Sequence, residues 1–156
     1  MSTAGRIFQI NASNGGVPKN PLRTAQIAEL GIIGDSHRDE VNHGGPERAV
    51  CLYSLERILA LQAEGNPIYP GSAGENVTIS GLDWDQIVPG TRLRLGNVVL
   101  LEVTHYTTPC ENIIASFNDG YFNRIHQNKY AGWSRVYTKV LQTGELKIGD
   151  TVTVAE

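Results

Sequence analysis

Cysteine is nearly absent from this chain: Cys51 and Cys110 are the two in 156 residues. Two are too few for a disulfide framework and share no metal-ligand spacing. The sequence therefore predicts a reducing, cytoplasmic setting. Apolar runs such as 98–101 fall far short of the roughly 20 residues that a helical membrane span needs. The first 13 residues lack a charged start followed by an apolar stretch, so no secretory signal and no membrane partner is expected. A cationic run is missing too. Lys and Arg number 13 against 16 Asp and Glu, for a formal net charge of −3, which argues against a nucleic-acid partner. The four histidines form neither HxH nor HExxH, so a histidine-only zinc centre is not supported. No GxxxxGK[ST] follows Gly15-Gly16, and no GxSxG elbow occurs.

Glycine is what the chain has in excess: 17 of 156 residues, against an average of about 7%. Each glycine inside a helix costs about 1 kcal/mol relative to alanine. The composition thus disfavours a helical bundle and favours short strands joined by turns. The length fits a single domain, 1–156, with enough chain to bury a core.

Ile7, Phe8 and Ile10 suggest a first strand, and residues 14–21, with Gly-Gly and two prolines, a loop. Residues 24–33 read as a strand with Ala25, Ile27 and Leu30 inward, and 36–47 as a polar loop. The apolar run 49–53 has strand length. Ser54 is a plausible N-cap for a helix carrying Leu55, Ile58, Leu59 and Gln62, which Gly65 would stop. Val77 and Ile79 alternate as a strand. Residues 91–104 read as a hairpin turning at Gly96-Asn97. Two short helices are expected over 112–117 and 121–128. A strand is expected over 133–141, with Arg135 and Lys139 on the face opposite Val136 and Val140. A hairpin with its turn at Gly149-Asp150 closes the chain. Strands do not alternate regularly with helices, which disfavours a doubly wound parallel sheet. The fold class is mainly β with a few short helices (α+β), a closed or nearly closed mixed β-barrel.

Three polar, glycine-rich stretches could carry chemistry: residues 34–46, 70–76 and 107–111. Cys110 follows Pro109 at a strand-to-helix transition. A helix starting there would favour its thiolate, a nucleophile or a soft metal ligand; the alternative is a small buried residue. Cys51, within an apolar strand, reads as core. His43, before Gly44-Gly45, could bind an anion, move a proton, or bond to loop backbone. Glu75, followed by Asn76, could be a general base or could fix a loop by accepting N–H bonds. Lys19, Arg48 and Lys139 could bind phosphate, or be solvated surface charges.

Taken in order, these stretches resemble the MOSC domain, the C-terminal module of molybdenum-cofactor sulfurases and of small stand-alone bacterial proteins. The residues that carry the resemblance are Gly31-Ile32-Ile33-Gly34-Asp35, His43-Gly44-Gly45-Pro46-Glu47-Arg48, Gly71-Ser72-Ala73-Gly74-Glu75-Asn76-Val77, Pro89-Gly90-Thr91, Pro109-Cys110 and Gly149-Asp150. The resemblance implies a barrel of the pyruvate-kinase barrel-like type and molybdenum cofactor (molybdopterin) as the ligand. It implies that Cys110 is the reactive or metal-binding residue and makes His43, Gly44, Gly45, Glu75 and Asn76 site-lining candidates; Lys19 and Arg48, with His43, could supply the donors that an anionic pterin phosphate needs. In the family such proteins can reduce N-hydroxylated compounds. No pyridoxal-phosphate sulfurase sequence lies within these residues, so a redox or sulfur-donor protein is the implied partner. Three functions follow: a molybdenum-dependent oxidoreductase, a non-catalytic carrier of cofactor or persulfide, and a thiol-dependent hydrolase or transferase.

Overall fold

Short alternating runs become strands, and glycine-rich stretches become the turns between them, in this computed structural model, which describes residues 4–13, 17–35 and 45–155. In chain order come β1 (Ala4–Ala12), β2 (Asn20–Leu22), β3 (Thr24–Ala28), β4 (Gly31–Ile32), β5 (Val50–Ser54), α1 (Leu55–Ala63) and β6 (Val77–Ser80). Then follow β7 (Arg92–Leu95), β8 (Val99–Tyr106), β9 (Val136–Gln142), β10 (Gly144–Lys147) and β11 (Thr151–Ala155).

Seven strands close a ring in the order β11-β7-β8-β9-β5-β6-β1, and β1 returns to pair with β11. Closure removes the free edges that would otherwise invite pairing with another chain. β5 and β6 run parallel, while their neighbours in the ring pair antiparallel, so the barrel is mixed, as expected. A parallel pair needs a crossover, and α1 with the residues after it supplies one. Ser54 caps α1 by accepting the Arg57 N–H, and Gly65, at φ +97°, follows its end. Ile58 and Leu61 are its buried residues, whereas Leu59 is exposed.

All five residues of β5 are buried, as an apolar run covered on both faces should be. β8 instead alternates: Val99, Leu101 and Val103 point into the core. With Ile7, Ile10, Leu52, Val77, Leu93, Leu95 and Val136 they fill the interior, each contributing about 1.5–3 kcal/mol over exposure. Among the described residues no helix is long and apolar enough to cross a membrane.

Three expectations need correction. Residues 24–33 are not one strand: the chain turns after Ala28, β4 pairs back onto β3, and Leu30 is exposed in that turn. Residues 144–155 do not form a hairpin. β10 pairs with β3, where Leu146 is buried, and β11 pairs with β7 and β1. The Gly149-Asp150 turn is held by β1 instead, through Gly149 N–H to Ile7 O (2.8 Å) and Ile7 N–H to Asp150 O (2.9 Å). The helices expected over 112–117 and 121–128 are short 3₁₀ segments, Glu111–Ser116, Asn118–Gly120 and Phe122–Ile125.

Candidate functional site

A buried polar floor surrounds the start of β5. Its centre is Asn76, fully buried. Its side-chain Oδ1 accepts the Cys51 N–H (2.9 Å), and its backbone N–H donates to Cys51 O (2.7 Å). Its side-chain amide donates to Asp35 Oδ2 (2.8 Å) and to Asn11 O (3.3 Å). Asparagine fits because one side chain must both accept and donate. Asp35 Oδ1 also accepts Lys19 Nζ (2.7 Å) and the Ser13 N–H (2.9 Å). The ion pair is almost dry, with side-chain exposures of 4% for Lys19 and 3% for Asp35. Breaking one partner of such a pair leaves a buried charge uncompensated.

Glu75 lies beside Asn76 and is also fully buried. Its Oε2 accepts the Gly71 N–H (3.1 Å) and the Thr78 hydroxyl (2.9 Å), while Oε1 has no partner among the described residues. Burial pushes its carboxyl above the usual range, and those hydrogen bonds offset part of the push. Gly71, at φ +91°, is required here: a Cβ would lie 2.7 Å from Lys19 O. Arg135 is buried as well. Its Nη1 donates to Ala73 O (2.6 Å), and its Nε has no partner among the described residues.

Cys51 is 4% exposed, and its thiol lies 3.7 Å from Thr107 Oγ1. Burial pushes that thiol up, against the pull of Arg135. Cys110 differs. It is half-buried and caps the 3₁₀ segment Glu111–Ser116 without a side-chain capping bond. Tyr137 links the two. It faces Cys51 across the β5–β9 ladder. Burial and both cysteines raise its phenol's pKa, while Arg135 and Arg48 lower it. Arg48 sits 5.8 Å over the Tyr137 ring.

Of the residues proposed from sequence, Lys19, Glu75 and Asn76 meet in the floor, and Cys110 and Arg48 share the electrostatic surroundings of Tyr137. Gly45, at φ +95°, caps the 3₁₀ turn Pro46–Arg48. His43 and Gly44 lie outside the described residues. Lys139 instead pairs with Glu102 (3.3 Å) between β8 and β9. Asn11, Thr107, Tyr137 and Arg135 were not singled out as site residues, and Asp35 not as a counter-ion. Arg135 was expected outward because a strand was expected from residue 133. The strand starts at Val136, since Ser134 is tied to the Trp84 indole N–H through its carbonyl (2.9 Å) and to Thr107 O through its hydroxyl (3.2 Å). Among the described residues no three His, Cys, Asp or Glu side chains gather to hold a metal ion.

The MOSC domain family model matches residues 39–153. An uncharacterized protein of Bacillus subtilis, YflK, is 29% identical over 136 residues, covering 86% of this chain and 60% of its own. A Gibberella moniliformis protein named "Reductase" is 33% identical over 131 residues, covering 81% of this chain and 23% of its own. This chain thus spans less than two thirds of either relative. The crystal structure of YiiM from Geobacillus stearothermophilus superposes with a TM-score of 0.76 at 23% identity, over 97% of this chain and 75% of that one. It shares the fold.

Proposed function

Because this chain belongs to the MOSC domain family, we propose that it binds molybdenum cofactor with Cys110 as the soft protein ligand and reduces N-hydroxylated compounds. The observation that carries the reading is the contrast in exposure. Cys110 is half-buried where Cys51 is buried, and two buried polar atoms of this chain, Glu75 Oε1 and Arg135 Nε, have no partner among the described residues. A half-exposed thiolate suits a soft transition metal, and one thiolate suffices where the metal brings its other donors on an organic cofactor. The donor set present therefore fits the group.

When bound, the cofactor supplies two-electron redox chemistry that no side chain here provides. The chain's own part is to hold and to compensate. Arg48 and Arg135 bring positive charge toward an anionic ligand. Lys19 and Asp35 act from below, fixing Asn76 and through it the Cys51 backbone. Reduction of R–NHOH to R–NH₂ and water consumes two electrons and two protons. The electrons come from a redox partner. Glu75, whose carboxyl burial favours in its protonated form, is a group of this chain suited to hold a proton.

The relative named "Reductase" favours this reading over a carrier of cofactor or persulfide. The test is molybdenum and pterin content of protein made in a cofactor-competent host. Cys110→Ser loses the metal under this reading, and Cys51→Ala keeps it. Retention of molybdenum and full reductase activity by Cys110→Ser overturns it. A stable persulfide mass shift on Cys110 without turnover assigns the carrier role instead.

A further inference from the structure

The barrel wall holds a recess of about 190 Å³. Trp84 and Asp85, from the 3₁₀ turn after β6, form one side with Ile87. Tyr106, at the end of β8, and Gln127 and Gly132, from the loop before β9, form the rest. Cys51, Glu75, Cys110 and Arg135 do not line it.

The recess is built rather than left over. Trp84 and Ile87 are buried, and the Trp84 indole N–H is held by Ser134 O (2.9 Å). Gly132, at φ +88°, lies so close to Asp85 that a Cβ would collide with its carboxylate. Arg57 fastens both sides, donating from Nε to Gly132 O (2.9 Å) and from Nη2 to Asp85 Oδ1 (3.0 Å). An engineered apolar cavity of about 150 Å³ takes up benzene, so one six-membered ring fits this volume.

Its polar atoms narrow the ligand further. Gln127 Oε1 accepts the Gly132 N–H (3.1 Å), which fixes the carboxamide and leaves Nε2 to donate. With Oδ1 engaged by Arg57, Asp85 presents Oδ2 as an acceptor. The Tyr106 hydroxyl can do either. Arg57 balances the charge of Asp85, so neither a cation nor an anion is favoured. A neutral ring that carries one N–H donor beside one carbonyl acceptor matches this set, with the Trp84 ring as its apolar wall.

We propose that this recess binds a small, neutral, planar ring bearing a carboxamide or lactam. The proposal is independent of the role assigned to Cys110.

Benzamide is the probe, and the two tryptophan indole N–H signals, assigned with Trp133→Phe, are the readout in nitrogen-15 correlation spectra. Benzamide is expected to shift the Trp84 signal saturably. Toluene, which lacks both polar groups, and benzoate, which is anionic, should bind at least about tenfold more weakly. Gln127→Leu should weaken benzamide about fivefold and leave toluene unchanged, and Ala131→Trp, at a further residue of the recess lining, should fill the recess and abolish binding. A Trp84 signal unmoved by benzamide at its solubility limit, or toluene binding as tightly as benzamide, overturns the proposal. If Gln127→Leu fails to fold, the ranking of the three probes on the wild-type chain decides alone.

Discussion

Cys51 and Cys110 sit in opposed surroundings. Cys51 lies in β5, between two ladders, with its backbone locked by Asn76 and its thiol against Thr107. Cys110 lies where β8 has ended and the chain is passing into a 3₁₀ segment, half-buried and free of a capping bond. The difference separates a thiol held by the scaffold from one that the scaffold leaves half-buried. A thiol inside the ladders is consumed by structure; a thiol at the corner, just past the last ladder hydrogen bond, is left available.

The sharpest way to break this contrast is to undo the lock beneath Cys51. Asp35→Ala strands the buried Lys19 ammonium and releases one of the Asn76 amide contacts. The expected loss is about 3–5 kcal/mol of unfolding free energy, read from urea denaturation. Lys19→Met combined with Asp35→Asn should cost clearly less than the single Asp35→Ala, because neither charge then remains unpaired. An equal or larger cost for the pair would contradict this account of the floor.

Alkylation compares the cysteines directly. With iodoacetamide under native conditions, Cys110 should react at least about a hundredfold faster than Cys51, whose modification requires local opening of β5. Peptide mass spectrometry at timed intervals checks it, and the gap should close in urea. Next in size are the conservative replacements. Cys51→Ser places a hydroxyl in a dry strand and should cost about 1–2 kcal/mol. Cys110→Ser should stay within about 0.5 kcal/mol.

Much of this contrast was legible in the sequence. The run Ala49-Val50-Cys51-Leu52-Tyr53 marks Cys51 as core, and Pro109-Cys110-Glu111 marks a chain leaving its strand. The barrel could be anticipated from alternation and glycine placement, as could α1 from Ser54 and Gly65. The partners were not legible, because they come from distant segments whose meeting depends on closure. Asp35 reaches Asn76 across 41 residues, and Arg135 reaches Ala73 across 62. Strand partnership was misjudged for the same reason. β10 looked like half of a local hairpin, yet Leu146 is buried where β10 pairs with Ala25 of β3.

The smallest expected effect is a slope with pH. Burial raises the Glu75 carboxyl's pKa in the folded chain, so the folded state binds more protons than the unfolded state above the ordinary carboxyl range. Its contribution is therefore complete at low pH and is lost as pH rises through the folded value. Glu75→Gln should flatten that decline above the ordinary Glu value of about 4.3. Glu64, whose pKa is lowered by its hydrogen bonds to Arg124, works in the opposite sense, losing its contribution as pH falls. The difference between wild type and Glu75→Gln isolates the buried carboxyl, and identical pH profiles would contradict its placement.

The most direct test of Cys110 as the soft ligand is X-ray absorption at the molybdenum edge on loaded protein. Wild type and Cys51→Ala should show the same number of sulfur neighbours to the metal, and Cys110→Ser one fewer in whatever metal it retains. An unchanged sulfur count in Cys110→Ser, or a loss in Cys51→Ala instead, would contradict the assignment.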